Sequence, residues 1–415
     1  MGRQQDFDDT PTEFIREEVS QCDNLDDLRE KIFPIIKSQR ELWIKKIQEI
    51  FEKSGQTKSK FAELCGVSRV TLDKWLNKGV LPKNRETFLR IGLVAELNRR
   101  ELDQLLQRYG RYPGLYPKSL DDCICIFVAD HHYGAESLEK YTYILSEVKK
   151  NFPRYLEESE ASAEQETAAS DDIVGVNAGG TINTSDADGG NKKRSVGEQP
   201  SRGTINTRAG SGTRPDHRTA EEIFQNDYYD NPDPDNVETE YFAGELSEVS
   251  DEEELQDFIK ENAIVFSTAY RRFYSYVLAY IKFNNINYAT KNVYGLSAAQ
   301  EWTPSLVQCV SAIRQYKWFP TRNKIISLGL HLAMDYDEIN KMLTYAHMEP
   351  LCAKNIFEST IMYILQDADL NDVLNIDAED YDPDRLLSFA RETLEKLDIP
   401  EIDAFLEELP DLSTD

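Results

Sequence analysis

Apolar residues recur at three- and four-residue intervals along most of this chain, with polar residues between them. This spacing places the apolar side chains on one side of an α-helix. It predicts helices over residues 41–53, 85–97, 138–148 and 384–396, and one long aromatic helix over 255–283. We therefore expect an all-α fold.

Residues 57–79 predict two short helices joined by a tight turn. Thr57 and Ser68 are suited to cap the first and second helix by accepting a backbone N–H, and Gly66 permits the sharp turn between them. The inward positions of the second helix are Val67, Leu72 and Trp75, and the outward ones are Arg69, Thr71, Lys74, Asn77 and Lys78. This layout is typical of a helix-turn-helix, whose second helix lies in the DNA major groove.

The same stretch resembles the Cro and lambda-repressor type of helix-turn-helix, the XRE family. The resemblance is carried by Phe61-Ala62, Cys65-Gly66-Val67-Ser68, Leu72 and Trp75. Cys65 stands where the family usually has an aliphatic residue, and Leu76 where an acidic residue often follows the Trp. The resemblance implies a lambda-repressor-like bundle that binds double-stranded DNA as a dimer on paired half-sites, although no dimer interface can be identified. An ordinary helical hairpin with the same turn is the alternative.

The candidate DNA-binding residues belong to these two helices and their caps. Ser68, Arg69 and Thr71 are expected to meet base edges from the start of the second helix. The phosphate contacts are expected from Lys58, Lys74, Asn77 and Lys78, and Thr57 completes the candidate set.

Charge is distributed unevenly along the chain, whose formal net charge is −28. Residues 41–118 hold 16 Lys/Arg and 9 Asp/Glu, a net of +7, which leaves −35 on the remainder. DNA affinity depends on the local basic face because phosphate neutralisation releases counterions. A basic module in an acidic chain is therefore compatible with DNA binding, and the acidic remainder should lower non-specific affinity.

The two halves of the chain share a pattern: residues 322–350 echo residues 85–113 at an offset of 237. One deletion, placed after Pro113, brings Leu115 onto Leu351 and Lys118 onto Lys354. The other matches are Gly92 with Gly329, Leu97 with Met334, Asn98 with Asp335, Glu101 with Glu338, Leu102 with Ile339, Leu105 with Met342, Leu106 with Leu343 and Ser119 with Asn355. Matching caps, apolar positions and breaks predict two copies of one helical module.

The second copy lacks the basic row of the first. A helix that begins at Thr303-Pro304 takes the place of the recognition helix. We expect the positions of Thr71, Lys74, Trp75 and Lys78 to be filled by Gln308, Ser311, Ala312 and Gln315. The second copy is therefore expected to bind protein: itself, the first copy or another partner.

These patterns divide the chain into five segments. We expect a helical extension over 1–40, the helix-turn-helix domain with its helical extension over 41–152, and an acidic disordered linker over 153–250 that is poor in apolar residues. A second, degenerate module over 251–378 and an acidic helical tail over 379–415 follow. The linker holds two Gly-Thr-Ile-Asn-Thr strings, at 180–184 and 203–207.

Motifs for other chemistry were not found. The six cysteines have no metal-ligand spacing, and the five histidines form no His-x3-His or His-Glu-x2-His pair. Neither a phosphate-binding Gly-x4-Gly-Lys-Ser/Thr loop nor a Gly-x-Ser-x-Gly nucleophile motif is present. We expect no enzyme activity, no cofactor and no metal. The longest apolar run is too short to span a membrane, and we expect a soluble, cytoplasmic protein.

The leading hypothesis is a bacterial or phage-type transcriptional regulator that binds double-stranded DNA sequence-specifically. Residues 251–378 would serve as a homodimer or protein-partner module. The alternative is a protein-interaction adaptor that uses the helix-turn-helix bundle without DNA. It is favoured by the acidic remainder, by the degenerate second copy and by Asp73 within the recognition helix.

Overall fold

The computed structural model describes residues 12–36, 39–82, 84–174, 219–230, 238–314, 321–370, 385–397, 402 and 405–409. Within these ranges the chain is mostly helical and has no β-strand, which confirms the all-α prediction there. The two Gly-Thr-Ile-Asn-Thr strings lie outside the described residues.

The helices follow the predicted periodicities through most of the chain. In the first half they are α1 (Thr12–Ser20), α2 (Leu25–Asp27), α3 (Gln39–Lys53), α4 (Lys58–Leu64), α5 (Arg69–Lys78), α6 (Arg85–Val94), α7 (Arg99–Gln104), α8 (Leu120–Asp130) and α9 (Ser137–Val174). A π-helical turn, Leu28–Ile32, and a 3-10 turn, Phe33–Ile35, follow α2, and a second π-helical turn, Leu105–Gly110, follows α7.

The second half continues in the same style. Its helices are α10 (Ala220–Asp230), α11 (Thr239–Glu248), α12 (Glu252–Glu261), α13 (Ala263–Thr268), α14 (Arg271–Asn287), α15 (Val293–Ala299), α16 (Pro304–Arg314), α17 (Arg322–His331), α18 (Tyr336–Tyr345), α19 (Ile356–Leu370) and α20 (Arg385–Glu395). The single helix predicted over 255–283 is thus divided into α12, α13 and α14. The first break falls at Asn262, whose side-chain amide donates to the carbonyl of Phe258.

Two hydrophobic cores organise these helices. The N-terminal bundle, α3 to α9, is built around Trp43, Phe61, Trp75, Phe88 and Phe127, all essentially inaccessible to solvent. The C-terminal bundle, α14 to α20, has its own core, which includes Tyr276, Ile325, Leu343, Ile361 and Leu394. Helix α10 packs along α14 and buries Phe224.

The predicted N-terminal extension does not pack on the bundle that follows it in sequence. Residues 12–36, the first arm, bury Ile15, Val19, Leu28 and Ile32 in the core of the C-terminal bundle. The carbonyl of Ser20 accepts a hydrogen bond from the side-chain amide of Gln366 at 2.6 Å. The first arm therefore connects to one bundle and docks on the other.

Residues 239–266, the second arm, make the reciprocal crossing. They bury Phe242, Leu246, Leu255 and Ile259 in the core of the N-terminal bundle. The carbonyl of Ser250 bonds to the imidazole of His131 at 3.1 Å, and Lys260 forms an ion pair of 3.0 Å with Glu158 on α9. The boundary predicted at residue 251 is therefore displaced, because residues 251–266, the start of the predicted second module, belong to the first core.

A continuous disordered linker over 153–250 was a wrong prediction where the structure describes helices, namely in α9, α10 and α11. Helix α9 continues past residue 148, where the predicted helix ends, and passes through Pro153. An internal proline costs about 3 kcal/mol. The burial of Tyr155 and the packing of α12 and α13 against α9 offset that cost.

In each bundle a guanidinium–carboxylate pair fixes the loop before the most buried helix. Asp122, Arg322 and Glu358 are buried, and Arg85 is half-buried. Arg85 binds both oxygens of Asp122, at 2.6 and 2.9 Å, and donates to the carbonyls of Pro113 and Gly114. The backbone N–H of Tyr116 completes the carboxylate's bonding. A pair whose remaining donors and acceptors are all bonded recovers much of the desolvation cost of burial.

The C-terminal bundle repeats this set of bonds. Arg322 binds both oxygens of Glu358, at 2.7 and 2.8 Å, and donates to the carbonyls of Glu349 and Pro350. The backbone N–H of Cys352 donates to the Glu358 carboxylate and completes the set. Pro113 thus corresponds to Glu349 rather than to Pro350, so the deletion expected after Pro113 lies before it. The extra residue of the first half falls in the π-helical turn Leu105–Gly110.

The two bundles meet through these loops. Arg111 reaches across to Glu358 and lies beside Cys352. In the opposite direction, His347 stacks on Tyr116 with ring centroids 3.6 Å apart. At an offset of 236, Arg111 corresponds to His347 and Tyr116 to Cys352. The contact of Arg111 with Cys352 and the contact of His347 with Tyr116 therefore join the same two positions of the module.

We predict that the arms stabilise the bundles with which they are not contiguous. Leu28→Ala should cost about 2–5 kcal/mol of unfolding free energy and accelerate amide hydrogen exchange chiefly in α17–α19. Leu255→Ala is the matched variant, since both leucines are fully buried, and it should accelerate exchange chiefly in α6–α9. Mass spectrometry of the exchanged peptides measures these rates. Faster exchange in α6–α9 for Leu28→Ala and in α17–α19 for Leu255→Ala would contradict the docking of each arm on the other bundle.

We also predict an acid-sensitive contribution from Glu358. Burial would raise its pKa, but Arg111 and Arg322 outweigh burial and hold the pKa at about 2. A folded-state pKa below the ordinary value contributes stability that is present above about pH 5 and is lost as the pH falls toward 2. The difference in unfolding free energy between the native chain and Glu358→Gln should therefore narrow over that interval. Glu160→Gln, at an exposed position, is the control for the substitution itself.

Candidate nucleic-acid interface

The paired helices α4 and α5 have the capping predicted from sequence. The hydroxyl of Thr57 accepts from the backbone N–H of Lys60 at 3.3 Å, and that of Ser68 accepts from the N–H of Thr71 at 3.1 Å. Gly66, between the helices, has a φ of +72°. Leu72 and Trp75 are buried and Val67 is half-buried. Local residue preferences therefore account for the caps and the turn of this hairpin.

Side chains of α3 donate hydrogen bonds to backbone carbonyl groups at the C-terminal end of α5 and just beyond it. The indole N–H of Trp43 donates to the carbonyl of Val80 at 3.0 Å, and the amide of Gln48 donates to that of Leu76 at 2.9 Å. The guanidinium of Arg40 donates to the carbonyl of Lys78. The end of α5 is thus fixed against a second helix, which gives the outward side chains a rigid base.

The outward face of α5 carries the predicted polar and cationic residues. Ser68, Arg69, Lys74, Asn77 and Lys78 are exposed, and Thr71 is half-buried. Among the described residues no carboxylate forms an ion pair with Arg69 or Lys74. The structure therefore brings the second-helix candidates together on one accessible surface.

Two other candidates are placed differently from the expectation. Lys58 is half-buried, and its ammonium forms an ion pair of 2.9 Å with Asp73, in the middle of the α5 face. The bond from Lys58 is the main reason that the pKa of Asp73 is lowered. Thr57 is exposed, but its hydroxyl is engaged as a helix cap. Asp73 thus places a negative charge among the cations of the α5 face and holds one of them, Lys58, in an ion pair.

One exposed residue of this face was not predicted. Val70 is 66% exposed although it follows Arg69 at the start of α5. Helical spacing from the buried Leu72 and Trp75 could have identified it as outward. An exposed apolar side chain at this position is suited to contact a thymine methyl group.

In the C-terminal bundle, α15 and α16 form the pair of helices in the corresponding place. The hydroxyl of Thr303 accepts from the N–H of Leu306 at 3.1 Å, the cap arrangement of Ser68 and Thr71. Aligning the cap Ser68 with the cap Thr303 changes the offset between the two halves to 235. Thr71, Lys74, Trp75 and Lys78 then correspond to Leu306, Cys309, Val310 and Ile313, not to Gln308, Ser311, Ala312 and Gln315. The expected register was wrong because it assumed that the 237 offset continues across residues 315–320.

The start of α16 is also covered by the end of the chain. The carboxylate of Glu408 accepts from the hydroxyl of Thr303 at 2.7 Å and forms an ion pair with Lys324. The imidazole of His331 donates to the carbonyl of Glu408 at 2.9 Å. Phe405 and Leu409 are buried on either side of this contact. Part of the predicted acidic tail therefore covers the start of α16, whereas the corresponding start of α5 is exposed.

The rest of the described chain offers little other chemistry. Its described residues contain no group of three or more His, Cys, Asp or Glu that could hold a metal ion. No helix within these ranges is long and apolar enough to cross a membrane. Comparisons with protein-family models, curated proteins and solved structures gave no match.

We predict that the end of α5 depends on Gly79. A Cβ added there would lie 2.2 Å from Cγ and 2.8 Å from the carbonyl oxygen of Arg40. Gly55 is the matched control, because its φ of +62° is within one degree of that of Gly79, at +63°, but a Cβ there would meet nothing within 4 Å. Both alanine variants carry the backbone strain, so Gly79→Ala should have the lower thermal midpoint. Equal midpoints would contradict the tight contact between α3 and α5.

Proposed function

We propose that the chain is a sequence-specific, double-stranded DNA-binding transcriptional regulator of the XRE type that reads DNA with α5. The observation that carries the proposal is the outward face of this helix. Arg69, Lys74 and Lys78 are exposed there on a helix whose inward face is fully packed. A rigid helix with this combination is suited to enter the major groove.

The start of α5 is suited to base readout and its flanks to phosphate contact. Ser68, Arg69 and Thr71 occupy the first turn, where recognition helices meet base edges. An arginine there can bind guanine in bidentate fashion. Lys74, Asn77 and Lys78 lie farther along, where they would contact phosphates and fix the helix on the duplex.

Electrostatics supports a local rather than a global attraction to DNA. The region 41–118 has a net charge of +7 within a chain of −28. At physiological ionic strength charges are screened over about 8 Å, so the local cations dominate once α5 is close to the duplex. The surrounding acidic surface should slow the approach and disfavour non-specific complexes.

The second candidate function is a protein-interaction adaptor, and one observation favours it. Asp73 lies on the α5 face and binds Lys58, which leaves that lysine less available to phosphate. Such an arrangement would suit a partner with mixed charge. The two functions differ in salt dependence, because only phosphate binding releases several counterions.

Alanine substitutions test the DNA proposal. Arg69→Ala and Lys74→Ala should each weaken binding to a duplex, measured by mobility shift or fluorescence anisotropy. Each should lower the magnitude of the slope of log K against log salt by about 1, since each removes one cation. Lys150→Ala removes an exposed cation on α9 and should change neither quantity. Unchanged affinity and slope in both α5 variants would exclude the proposal.

A further inference from the structure

We propose that this chain is an internally fused, arm-exchanged dimer and that one chain reads a single, asymmetric DNA half-site. The inference rests on the function proposed above and specifies its target. It replaces the expectation, drawn from the family resemblance, that two chains bind paired half-sites.

The two arms match each other in sequence, outside the internal repeat of residues 85–113 and 322–350. Residues 12–36 and 239–263 align without a gap at an offset of 227. Equal burial supports the alignment in the structure. The paired positions are Ile15 with Phe242, Val19 with Leu246, Cys22 with Val249, Leu28 with Leu255, Ile32 with Ile259 and Ile36 with Ala263, and all twelve side chains are buried. Asn24 and Asp251, also 227 apart, both act as helix caps.

The two arms are exchanged between the bundles. Helix α1 packs on α19 of the C-terminal bundle, and α11 packs on α8 of the N-terminal bundle. Helices α8 and α19 hold the corresponding carboxylates, Asp122 and Glu358. Each module therefore docks its arm on the equivalent surface of the other module. This reciprocity is what a two-fold, arm-exchanged dimer of identical chains shows.

The seam between the bundles has the same reciprocity as the arms. Position 111 of the first module contacts position 352 of the second, and position 347 of the second contacts position 116 of the first. An isologous contact of this kind uses the same patch on both members. Within this chain the patch is already occupied, so the seam and the arm sites are not open to a second copy.

Of the two corresponding helices, α5 has DNA-binding chemistry and α16 lacks it. Residues 304–313 of α16 contain no Lys or Arg. The side chains that correspond to Lys74 and Lys78 are the buried Cys309 and Ile313. At the cap of α16, Thr303 binds the carboxylate of Glu408, which would repel a phosphate. Of the two corresponding helices, α5 is therefore the one that the fused dimer presents to a duplex.

Selection from a randomised pool of double-stranded DNA tests this proposal on the full-length chain. We expect an enriched motif that is not an inverted repeat and is shorter than the spacing of paired half-sites, about 10 base pairs. Light scattering of the complex with an enriched duplex should give one chain per duplex. A selected inverted repeat that binds two chains would overturn the single half-site, although DNA binding itself would stand.

A mixing experiment gives an independent measure of stoichiometry. Native chain at a fixed concentration is titrated with an excess of the Arg69→Ala/Lys74→Ala double variant, in the presence of the enriched duplex. If one chain reads the site, binding by the native chain should stay within about twofold of its initial value. Progressive loss of binding would show that chains pair on DNA and would overturn the proposal. Enrichment of no duplex in the selection would reject the proposed function, and this inference with it.

Discussion

The buried guanidinium–carboxylate pair is the interaction on which the rest of this structure depends. In each bundle one arginine binds a carboxylate on a buried helix and two consecutive carbonyl groups of the preceding loop. Breaking a buried pair by removing one partner typically costs about 3–5 kcal/mol, because the other charge stays buried and unpaired. The pair therefore holds each loop in one conformation, and these are the loops through which the bundles meet.

Continuity of the chain adds a second constraint. Each arm is tethered to one bundle and packed in the core of the other, so the two bundles cannot separate without exposing both sets of arm residues. Tethering makes the docking of each arm an intramolecular event with a high effective concentration. The N-terminal bundle thus keeps α5 on a rigid support without needing a second chain.

The parts that were predictable from sequence are those set by local residue choice. The caps at Thr57 and Ser68, the turn at Gly66 and the inward position of Trp75 depend on neighbours within a few residues, and the structure confirms them. The apolar face of α20 was identified in the same way, and Leu386 and Leu394 are buried.

The parts that were missed depend on contacts between distant segments. Phe242 was assigned to a linker because few apolar residues surround it in sequence, yet the N-terminal core buries it completely. Arm exchange leaves no local signature, since an arm has the same amphipathic pattern whichever bundle receives it. Asp122 and Glu358 could not be distinguished among 75 acidic residues until their arginine partners were known. The covering of Thr303 by Glu408 joins positions 105 residues apart.

The central claim is that the cations of α5 meet DNA phosphates, and Asp73 gives its most direct test. Asp73→Asn removes one negative charge from the face and frees Lys58 from its ion pair, with almost no change in side-chain shape. The affinity of the full-length chain for duplex DNA should be measured across a series of salt concentrations. The account predicts tighter binding than the native chain and a salt slope steeper by about 1, because Lys58 can then displace one more counterion. Affinity that is unchanged or lower, with an unchanged slope, would contradict it.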